Sequence, residues 1–153
     1  MTFHFSLAAL LRLRTTLELV EERSLLRLRQ DARQFELDLE RMVARRREQR
    51  LRRSPALSSG ALLGADLQFS DFLEARLEVD EEQVRQLLLA KQMEIQGQLV
   101  VFLEARRRRE VMESLRDGEL RSYREQERRR EQRGLDDLFL LQLLHTRGGH
   151  PRG

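Results

Sequence analysis

RMVARRREQRLRRSPALSSGALLGADLQFSDFLEARLEVDEE, residues 41–82, reads as two helical segments of opposite charge on either side of a break. Residues 41–53 carry seven arginines and one acid, Glu48; residues 66–82 carry seven acids and one arginine, Arg76. Between them, SPALSSG at residues 54–60 gathers breakers. Proline lacks an N–H and clashes with the preceding turn, and the Ser/Gly-rich stretch favours a loop. A turn is therefore predicted at 54–60. A short break between two long helices favours an antiparallel hairpin. Folding back there sets the arginines beside the acids, flanking a seam as e and g positions do. Exposed pairs of this kind each contribute only about a few tenths of a kcal/mol, so they select register and orientation rather than supply stability.

Working outward, apolar residues keep helical spacing on both sides. Leu10, Leu13, Leu17 and Val20 step by three and four; after a one-residue offset, Leu25, Leu28, Ala32, Phe35, Leu39 and Met42 do the same. Val84, Leu88, Ile95, Phe102, Ala105 and Met112 repeat the pattern in the second half. Such spacing places side chains in one narrow stripe, which on long charged helices marks a coiled coil. The fold class read from the sequence is all-α, a long antiparallel two-helix coiled-coil hairpin, forming a single domain over residues 1–153. Helix 1 is expected over about 6–53 with Ser6 as its N-cap, and helix 2 over about 61–133. Leu63, Leu67, Phe69, Leu73 and Leu77 favour the start at Ala61 over a start at Asp80, which has Gln83 in capping-box position. Gly97, Gly118 and Gly134 weaken helix 2 by about 1 kcal/mol each, and Gly118 and Gly134 are the expected bends or ends. Helix 1 is the shorter, so helix 2 overhangs it and carries Tyr123, Arg128, Arg129, Arg130 and an apolar tail at 135–145.

The composition suits this reading. Charged residues make up 36% and aromatic residues 5% of the 153-residue chain, which leaves too little for a broad core but enough for a seam. Net charge is +3, so no bulk polyanion is demanded as a partner. The absence of cysteine excludes disulfides and thiolate metal sites. No apolar run approaches the ~20 residues that span a bilayer, and no signal peptide is visible.

No catalytic constellation, cofactor site or metal site is legible. His4, His145 and His150 lie near the termini, and no phosphate-cradling G-x-x-x-x-G-K occurs. The chain is read as a non-enzyme. The arginine runs 106–109 and 128–130 point around the helix among Glu104, Glu110, Glu113, Glu125, Glu127 and Glu131, as a solvated face does, with a protein partner that has an acidic rim as the alternative. The competing reading of the arginines is a nucleic-acid-binding hairpin, whose mark is a steep fall of affinity with salt. Phe69, Phe72 and Leu73 share a helical face, and either pack in the seam against Leu51 or form an exposed aromatic tip that docks a partner. LDDLFLLQLL, residues 135–144, is either a staple onto helix 1 or an interaction patch.

Three stretches carry a family resemblance. MTFHFSLAALLRLRTTLELVEE (1–22) holds Phe3, Phe5, Leu7, Leu10, Leu11, Leu13 and Arg14; EARRRREVMESLRDGELRSYREQERRREQRGLDDL (104–138) holds Arg109, Met112, Glu113, Leu115, Tyr123, Glu127, Gln132, Asp136 and Asp137; SSGALLGADLQFSDFLEA (58–75) leads from small residues into an aromatic helix start. Together they resemble the FliJ family, small coiled-coil proteins of the bacterial flagellar type III export apparatus. The resemblance implies a soluble stalk that links the hexameric export ATPase to the export gate protein FlhA and supports delivery of substrates and their chaperones. It implies a cytoplasmic place, peripheral at the inner-membrane base of the flagellum, with no nucleic acid and no membrane span. It implies ATPase-ring contacts from Phe3, Phe5, Leu7, Arg14, Arg128, Arg129 and Arg130, and gate contacts from Phe69, Phe72, Leu73 and Val79. An injectisome stalk would share the fold.

Overall fold

The computed structural model describes residues 2–60 and 64–148. Two α-helices, α1 (Ala8–Ser58) and α2 (Gly64–Gly148), pack antiparallel, with no strand among the described residues. The protein is thus all-α, a two-helix coiled-coil hairpin. The expected helix 2 start at Ala61, with Leu63 in its apolar face, and His150 lie outside the described residues. The chain divides into two compact units, a turn unit (Leu17–Ala105) and a terminal unit (Met1–Thr16 with Arg106–Gly153).

Both helices run longer than their sequence signals suggest. α1 does not stop before Pro55 but carries it inside its last turns. Leu51, whose carbonyl would accept from residue 55, is exposed, so the carbonyl left without a donor by proline stands in an exposed part of the helix. The end comes at a polar cap. Ser58 Oγ donates to Ser54 O at 2.9 Å, Ser59 N donates to Pro55 O at 3.1 Å, and Gly60 sits at φ 66°. A left-handed glycine just past the last turn is the commonest way to satisfy and stop a helix. At the other end Ser6 lies in a turn, and α1 begins one residue later than a Ser6 cap would set. α2 passes through Asp80, Gly97, Gly118 and Gly134 without interruption, so the apolar tail at 135–145 is helical.

In the turn unit the charge pattern pairs the helices. Arg46 lies 3.3 Å from Glu78 and 3.4 Å from Glu81; Arg50 binds Glu74; Arg53 lies 2.6 Å from Asp71. Moving one turn along α1 moves the partner one turn back along α2, which is antiparallel register. These groups do not all flank the seam. Arg46 and Arg53 are only 22% and 24% exposed, and Glu81 is 0% exposed. The seam nearest the turn is therefore largely ionic, and beyond Glu81 its shielded positions are mostly apolar, with Val84, Leu88 and Ile95 on α2 and Leu25, Leu28, Ala32, Phe35 and Leu39 on α1.

One part of the stripe is displaced from its expected place. In α1 the less exposed positions step without a break through Arg14, Glu18, Glu21, Leu25 and Leu28. Leu13, Leu17 and Val20, expected in the seam, sit one residue to its side and are exposed. An uninterrupted helix cannot absorb a one-residue offset, since a change of phase needs an insertion of three or four. The apolar stripe at 13–20 is therefore a flank, and polar side chains fill the seam beside it. Gln98 Nε2 donates to Glu21 Oε2 at 2.6 Å and to Glu21 O at 3.2 Å.

Candidate functional site

The turn unit carries an aromatic patch on α2. Phe69 and Phe72 are 66% and 69% exposed, Val79 is exposed, and Leu73 is half-buried. Helical spacing places all four on one side of α2, with Arg76 among them, held at 3.4 Å by Asp80 one turn on. Leu51 is itself exposed, so the seam alternative for the two phenylalanines does not hold. The inward-facing positions of this stretch belong instead to Leu67, Ser70, Glu74 and Leu77. An aromatic pair without an apolar neighbour to cover it is the usual substance of an interface anchor.

A second apolar surface in this unit was not legible from the sequence. Leu39, Val43, Ala44 and Leu51 line a shallow groove on α1 with Glu40, Arg47 and Glu48 at its rims. The signal was the four-residue step 39, 43, 47, 51, which diverges slowly from the seam step and was absorbed into it.

The terminal unit gathers the other residues singled out from the sequence, in three different roles. Phe5 is buried, and Phe3 packs on Tyr123 with ring centroids 5.6 Å apart and planes tilted by 53°. These rings hold the N-terminal segment against α2. Leu7 is exposed and Arg14 half-buried at a seam position. Arg128, Arg129 and Arg130 are exposed. Arg129 is neutralised along its own helix by Glu125 at 2.5 Å, and Arg130 by Glu127 at 3.1 Å. Arg128 has no such partner among the described residues. It lies in a groove formed by Arg121, Arg124, Glu125, Arg128, Arg129, Gln132 and Arg133. The consecutive run 128–130 points in three directions, but the spaced arginines 121, 124 and 128 share a face. Of these, Arg128 was singled out from the sequence, whereas Arg121 and Arg124 stand outside the run and were not.

Beyond Glu127 every described side chain of α2 is exposed, including Leu135, Leu138, Phe139, Leu140, Leu141, Leu143 and Leu144. The staple alternative for this segment therefore does not hold. Among the described residues no group of three or more carboxylate or histidine side chains could hold a metal ion, and no helix is long and apolar enough to cross a membrane.

No characterised protein and no solved structure is similar enough to the chain to count as a match. A family model does match, that of the flagellar FliJ protein, over residues 3–148. With nearly the whole hairpin covered, the chain belongs to the FliJ family and is a component of the flagellar protein-export apparatus.

Proposed function

We propose that the protein is a stalk and adaptor that links the hexameric export ATPase to the export gate protein FlhA and supports delivery of substrates with their chaperones. The observation that carries the reading is the division of exposed surface. An uncovered aromatic patch lies in the turn unit, and an arginine-rich face lies in the terminal unit. Two chemically unlike surfaces on one helical scaffold suit two unlike partners. Phe69, Phe72, Leu73 and Val79 meet the gate. Leu7, Arg14 and Arg128, with Arg129 and Arg130 beside them, meet the ATPase ring, while Phe3 and Phe5 hold the surface in shape. The protein works at the base of the flagellum, peripheral to the inner membrane, and raises the turnover of the ring without hydrolysing ATP itself.

The test pairs two assays. Phe69→Ala with Phe72→Ala lowers affinity for the cytoplasmic domain of FlhA and leaves stimulation of the ATPase unchanged. Charge reversal at Arg128, Arg129 and Arg130 does the opposite. If the tip variant lost ATPase stimulation and the arginine variant lost gate binding, the assignment of partners to surfaces would be reversed. If neither variant changed either assay, the reading would fail.

A further inference from the structure

One stretch of α2 departs from the rest of the chain in charge. Residues 86–103, QLLLAKQMEIQGQLVVFL, hold two charged side chains, Lys91 and Glu94, where the chain as a whole is 36% charged. Those two lie 3.1 Å apart, and Lys91 also reaches Asp31 on α1 at 3.8 Å. The stretch lies wholly within the turn unit. Its inner face, with Leu88, Lys91, Ile95 and Gln98, is the seam against α1. Its outer face carries large apolar side chains as well. At 100° per residue Leu89, Met93, Gln96 and Val100 fall within an arc of about 60°, roughly 150° around the helix from the seam positions. Met93 and Val100 are 70% and 66% exposed, and Leu89 and Leu103 are exposed beside them. The solvent face of a helix in a charged chain carries its charges. This one has the composition of a second seam, and α1 is on the other side.

We propose that this outer face pairs with the same face of a second copy of the chain, the two α2 helices running antiparallel about a two-fold axis beside Ile95. The proposal does not depend on which partners the aromatic patch and the arginine face meet. An axis at that point sets Met93 of each copy over Gly97 of the other. An added Cβ at Gly97 would meet nothing within 4 Å, so the unbranched, adaptable methionine has room there and the helices can approach closely. The same placement sets Leu89 beside Val100, and Gln86 beside Glu104, an amide donor facing a carboxylate. The stretch is about 27 Å long, which is short for a specific interface, so the pair is weak and reversible, with a Kd on the order of 10 µM.

Charge selects this occupant and its direction. In a parallel pair Glu82, Arg85 and Glu104 would each stand against their own duplicate, and like charges directly opposed resist association. In the antiparallel pair none of them does. Between Gln86 and Leu103 the outer face holds amides and apolar groups, which are compatible with their own copies in a way that a charged face is not. A foreign partner steered by charge would find none there to read. A lipid surface holds a helix whose polar face is rich in lysine and arginine, and the one basic residue of this stretch is turned toward α1. A nucleic acid needs cations that this face lacks.

Sedimentation equilibrium of the full chain alone, from about 1 to about 200 µM, tests the proposal. The wild type is expected to move from monomer to dimer across that range. Met93→Glu/Val100→Glu sets four carboxylates against one another in the pair and is expected to raise the dissociation constant at least about tenfold. Leu138→Gln/Phe139→Gln removes exposed apolar groups from the tail instead and is expected to pair as the wild type does. All four substituted side chains are exposed, so helicity is retained and is checked by circular dichroism. Direction is read separately. The chain has no cysteine, so a nitroxide can be placed at a single introduced site. In the antiparallel pair two labels at Gln92 lie within about 20 Å of each other and two at Ala75 about 60 Å apart, as the helix rise sets. A wild type that stays monomeric throughout overturns the proposal and leaves the face to a different protein. Pairing that survives Met93→Glu/Val100→Glu but is lost in Leu138→Gln/Phe139→Gln also overturns it. So do labels at Ala75 as close as those at Gln92, the mark of a parallel pair.

Discussion

Replacing Glu81 separates the two things a buried carboxylate does in a seam. Its side chain is 0% exposed, with Arg46 Nε 3.4 Å from one oxygen and Arg85 Nη2 3.3 Å from the other. Arg85 is half in solvent, so its pair is worth only about a few tenths of a kcal/mol after screening. Arg46 is better shielded, but it keeps Glu78 at 3.3 Å when Glu81 is gone. Glu81→Ala therefore loses the packing of one methylene, about 0.8 kcal/mol, and weakens one shielded ion contact, about 1 kcal/mol. The cost lies below the 3–5 kcal/mol of an abandoned buried charge, because no charge is abandoned. About 2 kcal/mol is expected. Glu81→Leu restores the packing and removes the cost of desolvating a carboxylate, so it is expected to be neutral or stabilising by about 1 kcal/mol. The gap of about 2–3 kcal/mol corresponds to roughly 4–12 °C in midpoint for a chain of this size. Thermal melts followed by helix ellipticity measure it. A Glu81→Leu variant as unstable as Glu81→Ala would show that the ion contacts themselves hold this part of the seam, and would refute the argument.

Other perturbations read other parts of the molecule. Leu25, 3% exposed, is the best-shielded apolar side chain of the turn unit, and Leu25→Ala should cost about 2–4 kcal/mol in a denaturant titration. Phe69→Ala and Phe72→Ala should each change stability by less than about 0.5 kcal/mol, since their rings are already in water; a loss of several would restore them to the seam. Gly134→Ala should raise helicity and leave binding unaltered, because an added Cβ meets nothing within 4 Å and the helix gains about 1 kcal/mol in propensity. Glu81→Leu combined with Gln98→Leu should melt higher than the wild type yet broaden the distance distribution between nitroxides placed at Arg50 and Glu74.

The hairpin was legible because two independent signals agreed. The three-and-four step from Leu25 to Met42 and from Val84 to Met112 specified the seam, and the arginine and acid blocks specified which way the chain folds back. Helix ends were less legible, because Pro55 and Gly134 carry local penalties that a long exposed helix can absorb. The offset between Val20 and Leu25 would have been a phase break in isolated sequence windows, whereas backbone continuity forces one phase and turns Leu13, Leu17 and Val20 outward — a constraint that residue types alone do not express.

The polar residues inside the seam explain why one register wins. An apolar ladder that repeats every seven residues can slip by seven and still bury its leucines. In the observed register Glu81 meets Arg46 and Gln98 meets Glu21, with Lys91 3.8 Å from Asp31 between them. A slip one way would bring Glu81 onto Leu39 and bury a carboxylate against an alkyl chain. A slip the other way would leave Glu81 facing Arg53 but carry Gln98 onto Leu28, stranding its amide. Each stranded group costs about 1–3 kcal/mol, more when it is charged. Neither slip is free, and the two penalties lie at different places along the turn unit, so no single substitution removes both. The same residues that lower the apolar content of the seam thus fix which stretch of α1 lies alongside the part of α2 that carries Phe69 and Phe72.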